Sequence, residues 1–518
     1  MGGASKEAKC ASSAEPRAWT REGLEQARRW VGKLQRRIAK AQREKKYNKV
    51  KALQHLLVTS RAAKTLAVAR VTSNKGKKTA GVDGVTWQTN AAKAQAIGSL
   101  RRRGYKPKPL KRVYIPKKGG AARLQVSRGG HHGKKRPLGI PTMKDRAMQA
   151  LYQTALEPIA ETTADKNSYG FRKYRSCQDA IDALHRWLSR RESPEWVLEG
   201  DIKGCFDHIS HDWLVRNVRT DSGILRKWLA SGVVYNRLLT PTTEGTPQGG
   251  IISPTLANVT LDGMERLIKS RFPSSRPKGT KGKWQTKKVN FVRYADDFIV
   301  TAADKETLLE VKAMLTAFLA ERGLELSEEK TLITHITEGF DFLGFNIRKF
   351  SGKLIIKPSK KSQERLVEKL HETIFRWNKT ATQQALIDQL NPILRGWANY
   401  YRYVCSKEVF SKIDHILTNQ LMRWGYRRHP RKKRCWTNRR YFISDGHNRW
   451  TFGFKYTEDG KEKTYSLLRL ADIPIVRYIK VKAEANPFDP EWDEYFAKRA
   501  KRQNRQRKAK GARDAQAA

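Results

Sequence analysis

The stretch FVRYADDFIV, residues 291–300, constrains the fold of this chain more than any other, because it sets two adjacent aspartates between two apolar runs. Neighbouring carboxylates repel, and taking either out of water is costly unless a cation or hydrogen bonds compensate. Phe291, Val292, Tyr294 and Ala295 read as one strand and Phe298, Ile299 and Val300 as the next, so Asp296-Asp297 falls where a hairpin reverses. An exposed acidic turn fits these letters, and so does a pair of carboxylates around a cation.

A second acidic position lies upstream in WVLEGDIKGCFDHI, residues 196–209. Asp201 ends a hydrophobic strand, Gly204 loosens the chain and Phe206-Asp207 opens a helix. Taken alone, Asp201 is a strand-end turn residue. Taken with the hairpin, it suggests a convergent carboxylate site of the kind that holds magnesium through hard oxygen ligands and substrate phosphates. Two such ions can clamp the attacking and leaving oxygens of a phosphoryl displacement. Between the two sites, TPQGGIISPTLANVTLDGME (246–265) reads as a glycine loop followed by a helix, with Ser253 as N-cap and Pro254 in the first turn. A structural loop explains those letters as well as a surface against which a base pair packs.

The partner follows from charge. Lys and Arg number 105 against 50 Asp and Glu, a formal net charge of +55. Such an excess repels itself until a polyanion neutralises it, so nucleic acid is the expected partner over many phosphates. At 518 residues with 39% hydrophobic content and 14 Trp, the chain is long enough for two to four folded domains. Cys10, Cys177, Cys205, Cys405 and Cys435 are scattered without a C-x-x-C pair, which argues against structural zinc and against a disulfide framework. No apolar run approaches the ~20 residues that span a bilayer, and the opening MGGASK misses a myristoylation signal by one position. The expectation is a soluble intracellular protein.

Along the chain, residues 1–17 are expected to be disordered. Leu24, Ala27, Val31, Leu34 and Ile38, then Val50, Leu53 and Leu57, recur at helical spacing among Arg, Lys and Gln, which predicts basic amphipathic helices over 18–73. RVYIP and RPLGIP read as strands around a basic glycine-rich connector. Residues 196–345 alternate irregularly between strand and helix, the mark of an α+β arrangement. After about residue 357 helices return: Val409, Ile413, Ile416, Leu417 and Leu421 form one stripe, and 385–404 predicts a helix broken near Pro392. Residues 441–481 read as short strands, and the end as a mobile basic tail.

RYADDFIV, DIKGCFD and TPQGGIISPTLAN, in that order within one region, resemble the catalytic blocks of reverse transcriptases. NKGKKTAGVDGVT, KKRPLGIPTMKDRAMQALYQTALEPIAE, SYGFRKYRSCQDAI, LELSEEKTLITHI and FDFLGFNIRKF are similar to further blocks of group II intron-encoded proteins, and ILRGWANYYRY (393–403) to their maturase-specific domain. The likeness spans about residues 20 to 495. It implies a right-hand polymerase: fingers and palm over 74–356 with a ferredoxin-like palm sheet, a helical thumb and maturase domain over 357–440, a DNA-binding region over 441–495 and a basic tail over 496–518.

The same resemblance implies two magnesium ions at Asp201, Ile202, Asp296 and Asp297, with Asp201, Asp296 and Asp297 catalytic, while the scattered cysteines predict no zinc. Asp296 would serve both ions and Asp297 would complete the acidic cluster. Phe206 aligns with the steric gate that excludes a ribose hydroxyl, Gln248 would contact the nucleotide or nascent pair, and Lys117 and Arg136 would grip the triphosphate. Lys330 falls where a basic residue near the leaving group stands, and equally where a surface lysine would. Lys75, Lys77, Lys78, Arg395, Arg402, Arg427 and Arg428 are the candidate RNA contacts. Trp397, Tyr400 and Tyr401 fit either core packing or base stacking, and Trp397 is expected to pack.

Function follows from the resemblance: RNA-templated DNA synthesis from a DNA primer 3′-hydroxyl, joined to binding of the intron RNA to promote splicing. Partners would be intron RNA, target DNA, primer and dNTPs. Localisation would be the bacterial cytoplasm, at the nucleoid through DNA binding, with an organellar origin left open. NPFDPEWDEYFAKRAKRQ resembles the approach to an H-N-H endonuclease, yet GHN at 446–448 has neither the second histidine nor the paired cysteines, so no DNA cleavage is expected. The alternatives are a splicing factor with an idle polymerase site and another prokaryotic reverse transcriptase, such as a retron or diversity-generating element.

Overall fold

Three basic helices open the structure, a computed structural model that describes residues 19–116, 135–235, 238–246, 249–273, 286–376, 381–444 and 450–516. Helix α1 (Arg21–Arg43) starts at Thr20, whose hydroxyl accepts the Gly23 N–H, and buries Ala27, Val31, Leu34 and Ile38. Helices α2 (Tyr47–Thr59) and α3 (Arg61–Ser73) bury Val50, Leu53, Leu57, Ala67 and Val68. The predicted stripes are therefore the packed faces, and the cationic residues between them face outward. The segment expected to be disordered, 1–17, lies outside the described residues.

Helix α4 (Asn90–Ser99) leads to strands β1 (Leu110–Pro116) and β2 (Lys135–Ile140), an antiparallel pair in which Lys111 lies opposite Ile140. Next come the long, almost wholly buried α5 (Met143–Thr163), α6 (Cys177–Leu188), β3 (Trp196–Gly200), and the short helices α7 (Cys205–His208), α8 (His211–Asn217) and α9 (Ser222–Leu229). Strands β4 (Val233–Tyr235) and β5 (Leu238–Thr240) extend the first sheet in the order β2-β1-β4-β5. Helices α10 (Ser253–Leu261) and α11 (Met264–Arg271) precede the hairpin of β6 (Asn290–Tyr294) and β7 (Asp297–Ala302), then α12 (Lys305–Ala320) and β8 (Leu332–His335). Helix α10 departs from expectation in one detail. Ile252 takes the N-cap position and Ser253 is already helical, so no side-chain oxygen caps this end.

Strands β3, β6, β7 and β8 form one sheet in the order β6-β7-β3-β8, with every neighbouring pair antiparallel. In chain order this is β-α-β-β-α-β with the ferredoxin-like strand order. Both faces are buried. Leu198, Phe291, Phe298 and Val300 face a core shared with α1–α3, α5 and α8–α12, whereas Val197, Val292 and Ile299 face a second core shared with α6 and the later helices. Successive strand residues point to opposite faces, so the near-continuous apolar run that flanks the aspartates feeds two cores at once.

Beyond the sheet, β9 (Phe340–Phe342), β10 (Phe345–Phe350) and β11 (Lys353–Pro358) form a small antiparallel sheet, followed by α13 (Lys360–Arg376), α14 (Gln383–Tyr401), α15 (Lys407–Arg428) and α16 (Arg434–Tyr441). Helix α14 runs unbroken through Pro392, contrary to the expected break. The proline is exposed, while Leu390 and Leu394 on either side are fully buried, and that packing holds the helix across the lost hydrogen bond. Trp397 packs as expected, 4.6 Å from the Tyr401 ring and 5.7 Å from Phe410.

Strands β12 (Phe442–Ile443), β13 (Thr451–Glu458) and β14 (Lys461–Ser466) stop short of the predicted strand region, because 467–481 runs as loop and one helical turn. The basic end is not structureless: α17 (Asp493–Gln516) is a helix. Its long basic stretch has good helix formers but no apolar repeat, and its first turns are anchored through Tyr495, Phe496 and Arg499. The segment before it returns to the first helix, where Arg36 meets Asp493 at 3.0 Å and Arg43 meets Asp489 at 2.5 Å. Among the described residues, no helix is long and apolar enough to cross a membrane.

Candidate active site

Asp201 follows the last residue of β3, at the centre of the sheet, and the β6–β7 hairpin delivers its aspartates beside it. Tyr294 pairs with Asp297 across a two-residue turn, so Asp296 sits in the turn and Asp297 opens β7. The first turn residue, Ala295, has φ +59°, a conformation that glycine adopts more readily. Two glycines make the assembly possible. A Cβ on Gly200 would lie 2.1 Å from the Phe298 ring, and one on Gly170 would lie 2.3 Å from the Ala295 nitrogen. The first lets β3 slide under the hairpin, and the second lets the 168–171 segment close on its turn.

Beneath the turn lies Arg293, a fully buried arginine in an otherwise apolar strand. Its guanidinium donates to Asp262 Oδ1 at 2.6 Å and to Asn258 Oδ1 and the Ala295 carbonyl at 3.1 Å each. Asn258 in turn donates to the Gly170 carbonyl at 2.8 Å. This network fixes the hairpin from behind, and sequence reading missed it. The signal was a lone arginine inside an apolar strand, which requires a buried anion. Burial pushes the Asp262 carboxyl up to about 6, against the opposing pull of Arg293.

The three carboxylates interact. Burial, then the charges of Asp296 and Asp201 and a hydrogen bond to Asp201, push Asp297 up to about 7. Lys330 opposes this. Its Nζ lies 2.6 Å from Asp201 Oδ2, and that bond holds the ammonium above the ordinary lysine range. Lys330 is 66% exposed, so it is a surface lysine that also pairs with a site carboxylate. Ile202, in contrast, is buried and makes a backbone bridge to Leu326. Cys205, buried under the cluster, is driven up to about 12 by burial and by the Asp296 charge, so it stays a neutral thiol.

The donor set is hard oxygen, negatively charged, with one lysine as countercharge, and such a set suits a divalent cation of the magnesium class. Among the described residues no group of three or more acidic, His or Cys side chains is drawn close enough to enclose a metal by itself. This fits a site whose coordination is completed by substrate oxygens and water rather than by a protein cage.

Phe206 is half-buried on α7, its ring 6.4 Å from Phe171. It lines a cavity of about 220 Å³ with Arg112, Pro137 and Gly139 from the first sheet and Glu244 and Thr246 opposite. Gly249 seals the cavity's neighbourhood, since a Cβ there would lie 2.6 Å from the Gly139 carbonyl. Lys117 and Gln248 lie outside the described residues. Arg136 stands in β2, opposite Ile115. Lys75, Lys77 and Lys78 are exposed on one helical turn, as are Arg395 on α14 and Arg427 on α15, the latter over the Phe375 ring. Arg402 and Arg428 are different. Arg402 is only 7% exposed, and Arg428 donates to the Ala381 carbonyl and stacks on Trp424, so neither presents a free cation on the outer surface.

A mixed α/β fold whose central antiparallel sheet gathers aspartates at a hairpin, beside a cavity under a second sheet, is that of a template-directed polymerase. Residues 115–347 match the family model of reverse transcriptase (RNA-dependent DNA polymerase), 19–100 that of the N-terminal domain of reverse transcriptase, and 363–442 that of the group II intron maturase-specific domain. Group II intron-encoded protein LtrA of Lactococcus lactis subsp. cremoris is 28% identical over 485 residues, 77% of this chain and 78% of the relative. Protein YkfC of Escherichia coli K12 is 34% identical over 355 residues, 62% of this chain and 87% of the relative. A Candida albicans telomerase structure aligns with 65% of this chain and 61% of its own at 14% identity and a TM-score of 0.35. The chain belongs to the group II intron-encoded reverse transcriptases with a maturase domain. It is an RNA-directed DNA polymerase that acts in RNA splicing, and RNA is its partner.

Proposed function

We propose that the enzyme extends a DNA primer on an RNA template with magnesium, using Asp201, Asp296 and Asp297 as its catalytic carboxylates. The observation that carries this reading is their convergence at the end of β3 and the β6–β7 turn, with Lys330 paired to Asp201 as its countercharge among the described residues. Asp296 and Asp201 would hold the cations, with Asp297 completing the cluster. The backbone of Ile202, whose side chain is buried, would contribute an oxygen. When bound, such ions supply positive charge to the attacking hydroxyl and to the triphosphate.

The chain's own residues do the rest. Phe206, at the floor of the 220 Å³ cavity, bounds the sugar and excludes a 2′-hydroxyl. Lys117, Arg136 and Gln248 take the triphosphate and nascent pair. Lys330 Nζ keeps a proton beside the carboxylates, available to an oxyanion leaving group. Lys75, Lys77, Lys78, Arg395 and Arg427 meet intron RNA through its phosphates, and region 441–495 meets target DNA. The reading assigns DNA cleavage to no residue of this sequence.

Primer extension on an RNA template, with and without magnesium, tests it. Asp296→Ala should abolish cDNA synthesis while splicing of the flanking intron continues. Wild-type synthesis by a variant lacking both hairpin aspartates would end the metal-site reading.

A further inference from the structure

Away from the carboxylates, a cleft of about 700 Å³ opens where three parts of the chain meet: residues 174–178 ahead of α6, the end of α14, and the 476–479 segment, with α17 alongside. Arg175, Arg402 and Arg499 all line it. Each is at least nine-tenths buried: the Arg175 side chain is 1% exposed, Arg402 7% and Arg499 8%.

Their countercharges do not balance. Arg499 is answered, since it lies 3.6 Å from Asp179 and donates to the Ile479 carbonyl and the Tyr478 hydroxyl. Asp179 is thereby spent, because it also accepts from the Ser176 and Val481 N–H groups and from Tyr478. Arg175 lies 3.6 Å from Glu161, which Arg172 already holds through both oxygens at 2.6 and 2.8 Å. Its Nη2 donates to the Ala483 and Ala485 carbonyls, its Nη1 makes no hydrogen bond, and the guanidinium lies over the Tyr169 ring at 5.9 Å. Arg402 has no carboxylate within ion-pair distance among the described residues, and its buried Nε has no acceptor. Arg402 thus sets a cation at the cleft with no countercharge and one unsatisfied N–H, an arrangement that an anion from outside would complete.

We infer that this cleft seats one phosphodiester of a bound nucleic-acid strand, with Arg402 gripping its non-bridging oxygens and the buried Arg175 charge behind it. A guanidinium suits this better than an ammonium, because its fork matches two phosphate oxygens. Burial, and after it the neighbouring Arg172, hold Arg175 below the ordinary arginine range. Tyr174, 55% exposed on the rim, offers a face to an adjoining base or sugar.

The test is binding of full-length protein to a labelled single-stranded RNA, and to DNA of the same sequence, across a salt series. Arg402→Met should flatten the dependence of log affinity on log salt by about 0.7, one phosphate contact on a single strand. Its thermal midpoint should hold or rise, because a buried unpaired charge is gone. Arg402→Lys keeps the charge, so it should retain the wild-type slope yet lose several-fold in affinity with the fork. Flattening for RNA alone assigns the phosphate to the RNA partner, and flattening for both polymers assigns it to backbone chemistry they share. Unchanged slope and affinity for both polymers in both variants would overturn the inference, as would a fallen midpoint with an unchanged slope. The inference rests on the chain's binding RNA. Failure of the wild type to bind either polymer would sink that premise, whereas an unchanged variant slope sinks only the cleft.

Discussion

Two ion pairs flank the same hairpin and behave as opposites. Arg293–Asp262 is sealed, its side chains 0% and 6% exposed, and every contact it makes points at structure: the turn carbonyl, Asn258 and through it Gly170. Lys330–Asp201 is open, with the lysine 66% exposed. The first is expensive to break and has no reason to open. The second stabilises little and holds a carboxylate that chemistry needs back. The molecule thus separates holding the hairpin from using it, and only the second task is left to a pair that solvent and substrate can reach.

Breaking the sealed pair should have the largest effect. Arg293→Ala leaves Asp262 buried and unpaired, which should cost about 3–5 kcal/mol of stability, read as a lower urea midpoint. Asp296→Asn should do the reverse: synthesis falls by roughly 100-fold or more, the scale of losing a key electrostatic contact to a transition state, while the urea midpoint does not fall. A variant that lost stability as well would place Asp296 on the structural side. Gly200→Ala forces a methyl into the Phe298 ring and should cost about 1–3 kcal/mol, and a residual loss of synthesis in the folded fraction would show that the hairpin has shifted. Lys330→Met should be the mildest for the fold, within about 1 kcal/mol. The small contribution of the wild-type pair should shrink with added salt, a dependence that Arg293–Asp262 should lack.

The open pair was closer to legible than the sealed one. Asp201, Asp296 and Asp297 stand out because carboxylates beside apolar runs need a reason, and Lys330 is both a surface lysine and a partner of the site, so its two expected roles are compatible. Arg293 sits in the same ten residues as the aspartates, but its partner Asp262 lies 31 positions earlier, and only the packed sheet shows which acid it meets. Pro392 misled because local backbone chemistry was weighed without the buried leucines on either side. The helical end misled because an amphipathic period is a sign of packing, and the packing of α17 rests on Tyr495, Phe496 and Arg499 near its start, too few residues to show a period. Arg402 stands among the candidate RNA contacts, with nothing in its neighbours to set it apart from the exposed Arg395. Its burial depends on segment 476–479, more than 70 residues later, and no spacing rule connects the two.

The contacts between α1 and the segment before α17 also set a schedule. Arg36 and Asp493 are 457 residues apart, and Arg43 and Asp489 are 446 apart. At about 5–20 residues per second, a ribosome needs on the order of a minute to travel between them. The first helix therefore leaves the ribosome long before its partner is made, and the core shared with α1–α3 and α5 can assemble while that latch is still open, whereas the second core waits for the late segment that supplies Val481 and Ala485. Arg499 and Tyr478 arrive in the same late instalment, so the 700 Å³ cleft forms well after the catalytic sheet. A nascent chain would have its catalytic sheet before it had that grip on a nucleic acid, and engagement of the cleft would wait for residues 476–499 to follow the sheet out of the ribosome.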